Sequence, residues 1–247
     1  VMPWVKGLNF EQVNVDLIAG MVGETWESWR ETVQKTIDLD PDSVTVYQME
    51  LPFNTVYSKD LLSGDGDPLP LADWQLKRDW HAYAFEQFAN AGFTHSSAYT
   101  MKKQPDGQFV YRDAVWHGQD MLGCGVASFS HMSGVHYQNA PRWEDYLGAL
   151  AADKLPLHRA FATNEKERLT REFILQMKMG ALSPDQFSDK FATDIIEEYR
   201  EPLTALRDEG MLGFSENGIE LTDEGLLRVD QLLPEFYDER YRNSRYT

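Results

Sequence analysis

Two hydrophobic periods meet within the first fifty residues. Val13, Val15, Leu17 and Ile18 make a short β-branched, apolar run that stops at Gly20, the pattern of a buried strand. Beyond a turn through Gly23 and Thr25 the period lengthens. Trp26, Trp29, Val33 and Ile37 recur at three- and four-residue spacing, and Glu27, Arg30, Glu31, Gln34 and Lys35 fall mostly elsewhere, which predicts a helix over 26–39. Thr25 is placed to cap it, Glu27 and Glu31 lie towards its positive end, and Pro41 closes it. Ser43 to Glu50 reads as a second strand. Strand, helix and strand in this order form a right-handed parallel βαβ unit.

Further on, residues 51–57 read as an extended segment and 63–70, rich in Gly, Pro and Asp, as a surface loop. A strong helix follows over 72–91, carrying Trp74, Trp80, Tyr83, Ala84 and Phe88, with Gly92 as its terminator. Phe93 to Lys103 reads as a strand, 105–107 as a turn, and Phe109 to Asp113 as a strand returning in a hairpin. Met121 to Met132 is a run of small residues, Val135 to Asn139 an extended segment, and Trp143 to Ala152 a short helix. From about Asn164 the pattern becomes helical: one helix over 165–179, a second from Ser183-Pro184, a third from Thr193-Asp194 to Gly210, and a last one from Thr222-Asp223. An Asn217-Gly218 hairpin signal interrupts the last two. The fold class expected is α/β, with one domain over 1–160 and a helical, winged-helix-like domain over 161–247.

Composition removes several classes of function. Forty acids against 23 Lys and Arg give a net charge of −17, the wrong sign for nucleic acid or an anionic membrane surface. The winged-helix-like end does not escape this, because residues 183–247 hold 16 acids and 7 Lys or Arg. No apolar run approaches the length of a membrane span. The single cysteine, Cys124, excludes an internal disulfide and a multi-cysteine metal site, and suits a reducing, cytoplasmic setting. His95, His117, His131 and His136 are irregularly spaced and do not form a zinc motif. Val1-Met2-Pro3-Trp4 is an unusual opening, and two parallel strands cannot close a sheet, so the chain is expected to be the carboxyl-terminal piece of something longer.

Candidate chemistry lies in polar residues on apolar strands. Asp16 interrupts the first strand and Glu50 ends the second, near the carboxyl ends of parallel strands where ligands gather in α/β folds. A carboxylate there faces a pocket or is satisfied by main-chain amides or an arginine, and the pattern leaves both readings open. Gly123 and Gly125 let the backbone approach either a ligand or a neighbouring strand.

Five blocks appear in order along the chain: Asn14-Val15-Asp16-Leu17-Ile18-Ala19-Gly20, Glu24-Thr25-Trp26-Glu27-Ser28-Trp29, Val44 to Pro52, Asp120 to Ser128, and Leu221-Thr222-Asp223-Glu224-Gly225. Together they resemble the radical S-adenosylmethionine enzymes of the oxygen-independent coproporphyrinogen III oxidase group. The resemblance implies the second part of an incomplete parallel (βα) barrel followed by the family's C-terminal helical domain. It also implies S-adenosylmethionine, cleaved reductively at a 4Fe-4S cluster, and a porphyrinogen or haem-like substrate whose propionates are decarboxylated to vinyl groups. The CxxxCxxC cluster motif is not in this sequence. The family's pattern would place it upstream, in the missing N-terminal half of the barrel, and would require an electron donor. Residue by residue, Asp16 matches a family aspartate that contacts S-adenosylmethionine. Glu50 and Phe129 fall at further contact positions with different residue types, and Gly123 and Gly125 would let backbone reach the cofactor. Relatives that modify haem or carry it without turnover, and an interaction domain without the cluster half, are the alternatives.

Overall fold

The computed structural model describes residues 1–50, 71–104 and 107–242. The segments expected over 51–57 and 63–70, and the start of the turn at 105–107, lie outside the described residues. A short helix α1 (Met2–Lys6) precedes β1 (Asn14–Ala19), α2 (Trp26–Leu39) and β2 (Ser43–Gln48). Thr25 and Ser28 make the reciprocal bonds of a capping box, Ser28 N to Thr25 Oγ1 at 3.2 Å and Thr25 N to Ser28 Oγ at 3.0 Å. The helix stops one residue before Pro41, at Asp40, whose left-handed φ of 53° ends the helical course. β1 and β2 pair in parallel from Asn14↔Ser43 to Ala19↔Gln48.

The chain continues with α3 (Trp74–Asn90), β3 (Thr94–His95) and β4 (Thr100–Lys102). The single strand expected over 93–103 is thus two short strands. Between them the chain turns back on itself, Ser96 N and Ser97 N both donating to Thr100 O. The sheet order is β1-β2-β4-β3, and both β2–β4 and β3–β4 are antiparallel. Parallel pairing among the described residues is confined to β1 and β2, because this turn inserts β4 against β2 in the opposite direction.

Side-chain alternation divides the sheet into two faces. Leu17, Ala19, Val44, Val46 and Met101 turn to α2 and α3, where Trp29, Val33, Trp80, Ala84 and Phe88 complete a core. Trp29 Nε1 donates to Trp80 O at 2.8 Å, so this buried ring satisfies its one donor. The other face carries Asn14, Asp16, Ser43, Thr45 and Thr100.

Phe109 to Asp113 does not return as a strand. It belongs to α4 (Val110–Trp116), where the three- and four-residue spacing of Phe109, Arg112 and Trp116 places the Arg112 guanidinium 4.5 and 5.1 Å from the two ring centres. β5 (Phe129–Met132), β6 (Val135–Asn139), α5 (Trp143–Ala151) and β7 (Leu157–Ala162) follow, with an antiparallel sheet of order β5-β6-β7. All six residues of β7 are exposed, so no hydrophobic alternation announces that strand.

The remainder has its own core. α6 (Glu165–Met177), β8 (Ala181–Leu182), α7 (Pro184–Phe191), α8 (Ile195–Glu198), α9 (Arg200–Asp208), β9 (Leu212–Ser215) and β10 (Gly218–Leu221) enclose Phe173, Met177, Phe187, Ile195, Leu203 and Ile219. The expected third helix is broken at Tyr199, which falls between α8 and α9. The hairpin forms where Asn217-Gly218 signalled it, and β8 joins it to give the order β8-β10-β9. Helices α10 (Asp223–Leu227) and α11 (Val229–Leu232), a 3-10 turn over Leu233–Phe236 and α12 (Glu239–Arg242) close the described chain. No helix among the described residues is long and apolar enough to cross a membrane.

Candidate active site

The polar face of the β1–β2–β4 sheet is the site the sequence points to. Parallel register places Asp16 opposite Thr45, and antiparallel register places Thr45 opposite Thr100. Asn14 organises the group. Its Nδ2 donates to Asp16 Oδ1 at 2.6 Å and to Thr45 Oγ1 at 3.2 Å, while its Oδ1 accepts from Ser43 Oγ at 2.8 Å. Thr45 and Thr100 share a further hydroxyl bond at 3.2 Å. Asparagine can serve as donor and acceptor at once, which makes it the hub of this ladder.

Asp16 is exposed, contrary to the burial expected for an acid inside a parallel strand. The reason is topological: among the described residues β1 is the edge strand of its sheet, and Asp16 lies on its exposed side. Neither an arginine nor a main-chain amide holds the carboxylate among the described residues, and the bond from Asn14 occupies one of its two oxygens. The other is free to accept. Its field reaches Tyr47 on the same face, where partial burial first and the Asp16 charge second push the phenol pKa up.

At the carboxyl end of the parallel pair the backbone is tied down by two charged side chains. Glu24 Oε2 accepts from Gly20 N at 2.6 Å and Met21 N at 3.3 Å; burial nevertheless raises its pKa, outweighing those bonds. Lys77 Nζ donates to Met49 O at 2.8 Å, and its stem lies so close to Gly20 (φ +97°) that a Cβ there would meet it at 2.8 Å. Glu50 is exposed just past β2, within reach of the Lys77 charge. Lys77 and Glu24 were not singled out by the sequence pattern. Glu24 entered only as the first residue of the Glu24–Trp29 block, with Thr25 alone read as the cap.

Tyr99 links this face to the second core. Its ring stacks on Tyr47 at 6.3 Å, its hydroxyl donates to Asp230 Oδ2 at 2.7 Å, and Lys178 Nζ sits 3.0 Å from Asp230 Oδ1. Burial, then the Asp230 charge, drive the Tyr99 pKa up, so it stays a neutral donor.

Gly123, Gly125 and Phe129 lie on or beside the β5-β6-β7 sheet rather than on the sheet that carries Asp16. Asn139 Nδ2 donates to both Gly123 O (3.1 Å) and Gly125 O (3.0 Å), and a Cβ on Gly123 would collide with the Phe129 carbonyl. Close strand packing therefore accounts for Gly123. Phe129 is exposed and stacks on His136. Cys124 is exposed, and no group of three or more His, Cys, Asp or Glu among the described residues could hold a metal ion.

The fold is that of part of a solved structure. Over 95% of this chain it superposes on coproporphyrinogen III oxidase (HemN) from Escherichia coli, described as a radical SAM enzyme, with a TM-score of 0.76, 19% identity and 57% of that chain covered. The sequence comparisons narrow the likeness. Residues 164–228 match the HemN C-terminal domain. The oxygen-independent coproporphyrinogen III oxidase of Synechocystis is 25% identical over 96% of this chain and 54% of its own length. That of Thermostichus vulcanus is 26% identical over 96% and 76% respectively. The heme chaperone HemW of Lactococcus lactis is 23% identical over 90% and 57%. The chain thus resembles the C-terminal portion of the oxygen-independent coproporphyrinogen III oxidase-like proteins, and spans about half the length of several of the curated relatives it matches.

Proposed function

We propose that this chain is the C-terminal part of a radical S-adenosylmethionine oxidoreductase that decarboxylates porphyrinogen propionates to vinyl groups in haem biosynthesis, working in the cytoplasm. In this reading residues 1–160 complete a (βα) barrel with an N-terminal half, and residues 161–247 form a helical, winged-helix-like domain. Asp16 carries the proposal: an exposed acceptor held by Asn14, on a strand that among the described residues is the edge of its sheet and has outer backbone groups available for another strand. The exposed stripe of Trp143, Leu147 and Leu150 along α5 supports a further covering partner.

The residues present fit S-adenosylmethionine. Asp16 would accept from ribose hydroxyls or from the ligand's ammonium group, Asn14 fixes its orientation, and Glu50 would add a contact from the end of β2, whereas Phe129 lies on the other sheet. Bound there, S-adenosylmethionine would supply the oxidising equivalent for removing hydrogen from the propionate. The residues do not fit a 4Fe-4S cluster, since Cys124 is the only cysteine. The cluster and the electron donor belong with the N-terminal half.

The HemW relatives of Lactococcus lactis and Bacillus subtilis favour a second reading, haem binding without decarboxylation. The deciding experiment supplies the protein, together with its cluster-bearing half, with S-adenosylmethionine, a low-potential reductant and coproporphyrinogen under anaerobic conditions. Carbon dioxide and a vinyl product are expected. Haem binding without turnover would replace the oxidase reading with the trafficking one. Failure of both would leave an interaction domain.

A further inference from the structure

The β5-β6-β7 sheet presents a second face that the foregoing does not use. Register sets His131 opposite His136, Phe129 opposite Gln138, His136 opposite Phe161 and Gln138 opposite Arg159, so these six side chains share one side of the sheet. Phe129 and His136 stack at 5.4 Å with 10° between their planes. Arg159 sits 5.8 Å from the Phe129 ring centre and donates Nε to Gln138 Oε1 at 2.8 Å.

Helix α6 adds two more cations. The Arg168 guanidinium lies over the β5–β6 turn, 2.6 Å from where a Gly134 Cβ would stand. Arg171, half-buried, lines a cavity of about 290 Å³ together with Phe161, Thr170 and Ile174. Among the described residues neither arginine has an ion pair or hydrogen bond, and the buried Nδ1 of His131 also has no hydrogen-bond partner. The neighbouring acids are occupied. Asp120 accepts from Ser133 N, Glu167 from Asn164 N, Arg240 and Tyr241, and Glu172 from Lys190 and Gln176.

This is a costly arrangement in a chain that carries 40 acids. Burial lowers the pKa of Arg171, and burial followed by the Arg171 charge lowers those of His131 and His136. Unpaired, partly desolvated guanidinium groups lose hydration without recovering it in a charge-assisted bond. An incoming anion restores what the fold leaves out, and the aromatic rings beside them favour a flat one.

We propose that this face binds a ring-bearing organic polycarboxylate, its ring against Phe129, His136 and Phe161 and its carboxylates on Arg168 and Arg171. Arg159 and the His131 Nδ1 bound the site. The inference names a site for the substrate class put forward above, yet it rests on the side chains alone and survives if the reaction is another. The test is calorimetric titration of the protein with benzene-1,3,5-tricarboxylate, inorganic phosphate and coproporphyrin III. The variants are Arg168→Gln, Arg171→Gln and, as a remote control, Arg142→Gln, with thermal melting to verify folding.

Tricarboxylate binding weakened at least tenfold by either of the first two variants and unchanged in the control is the expected result. Should Arg171→Gln fail to fold, Arg168→Gln carries the comparison. Absence of tricarboxylate binding, equal binding by all variants, or phosphate binding as tightly would overturn the assignment. Coproporphyrin lost in parallel with the tricarboxylate supports both the site and the substrate class. Tricarboxylate binding without coproporphyrin binding sustains the site and counts against the tetrapyrrole reading alone.

Discussion

Replacing Asp16 by alanine separates a ligand contact from a structural acid. Within the protein, Asp16 is exposed and bonded to Asn14. Losing one exposed bond of this kind costs less than about 1 kcal/mol, and Asn14 keeps Ser43 and Thr45 as partners. The fold should therefore tolerate Asp16→Ala, with a melting temperature within a few degrees of the parent. Binding of S-adenosylmethionine should respond differently, since a charged acceptor facing hydroxyl or ammonium donors contributes about 1.5–3 kcal/mol. At 1.4 kcal/mol per decade, that is roughly a 10- to 150-fold loss of affinity. Equilibrium dialysis or calorimetry on the cluster-bearing protein measures it, and Asp16→Asn, which keeps size and hydrogen-bonding capacity, should fall between. Unchanged affinity in a folded Asp16→Ala protein would refute the contact. A large drop in melting temperature would refute the claim that the carboxylate is free.

Three further outcomes are expected. His81, buried with no hydrogen-bond partner of ordinary geometry on either ring nitrogen, has its pKa lowered to about 4 by burial. The unfolded chain takes up a proton below about 6.5 while the folded chain does not until about 4, so stability present above pH 6.5 is lost as pH falls towards 4. Urea unfolding at pH 7.5 and 4.5 should reveal a loss on the order of 3 kcal/mol, and His81→Phe should reduce that slope. Gly123→Ala should destabilise the protein by about 1–3 kcal/mol whether or not cofactor is present, because the new methyl meets the Phe129 carbonyl; a stable variant with weakened cofactor binding would reverse that account. Thr25→Ala removes the cap of α2 and should cost about 1 kcal/mol in denaturant unfolding, with Thr25→Ser largely restoring it.

The first fifty residues were legible because each local signal agreed with the next. The strand period, the Thr25 cap and the Trp29–Val33 stripe all demanded one βαβ unit, and the parallel register follows. Legibility failed where pairing, not pattern, decides. β7 has six exposed residues and exists because β6 offers it a hydrogen-bonded edge. Phe109 to Asp113 has the composition of a strand, but Arg112 between two rings at helical spacing gives it a better partner than a cross-strand neighbour. The third helix looked continuous through Tyr199, whose ring packs 4.4 Å from Phe173 while the backbone leaves helical geometry.

The candidate site was half legible for a related reason. A polar residue in an apolar strand singled out Asp16, but period-two alternation cannot reveal whether the face it points to is covered. Asn14, two positions earlier on the same face, was the missing clue: together with Ser43, Thr45 and Thr100 it makes that face polar across three strands. A polar face built from paired hydroxyl, amide and carboxylate groups is satisfied in water or against a polar ligand, whereas packing it beneath an apolar layer would strand the second oxygen of Asp16. The opposite face, with Val44, Val46 and Ala19 sealed by two tryptophans, has no such freedom. One sheet thus has a side fixed by its core and a polar side that is closed over Ser43, Thr45 and Thr100 but open at Asn14 and Asp16, where the chemistry is set by what comes to lie on it.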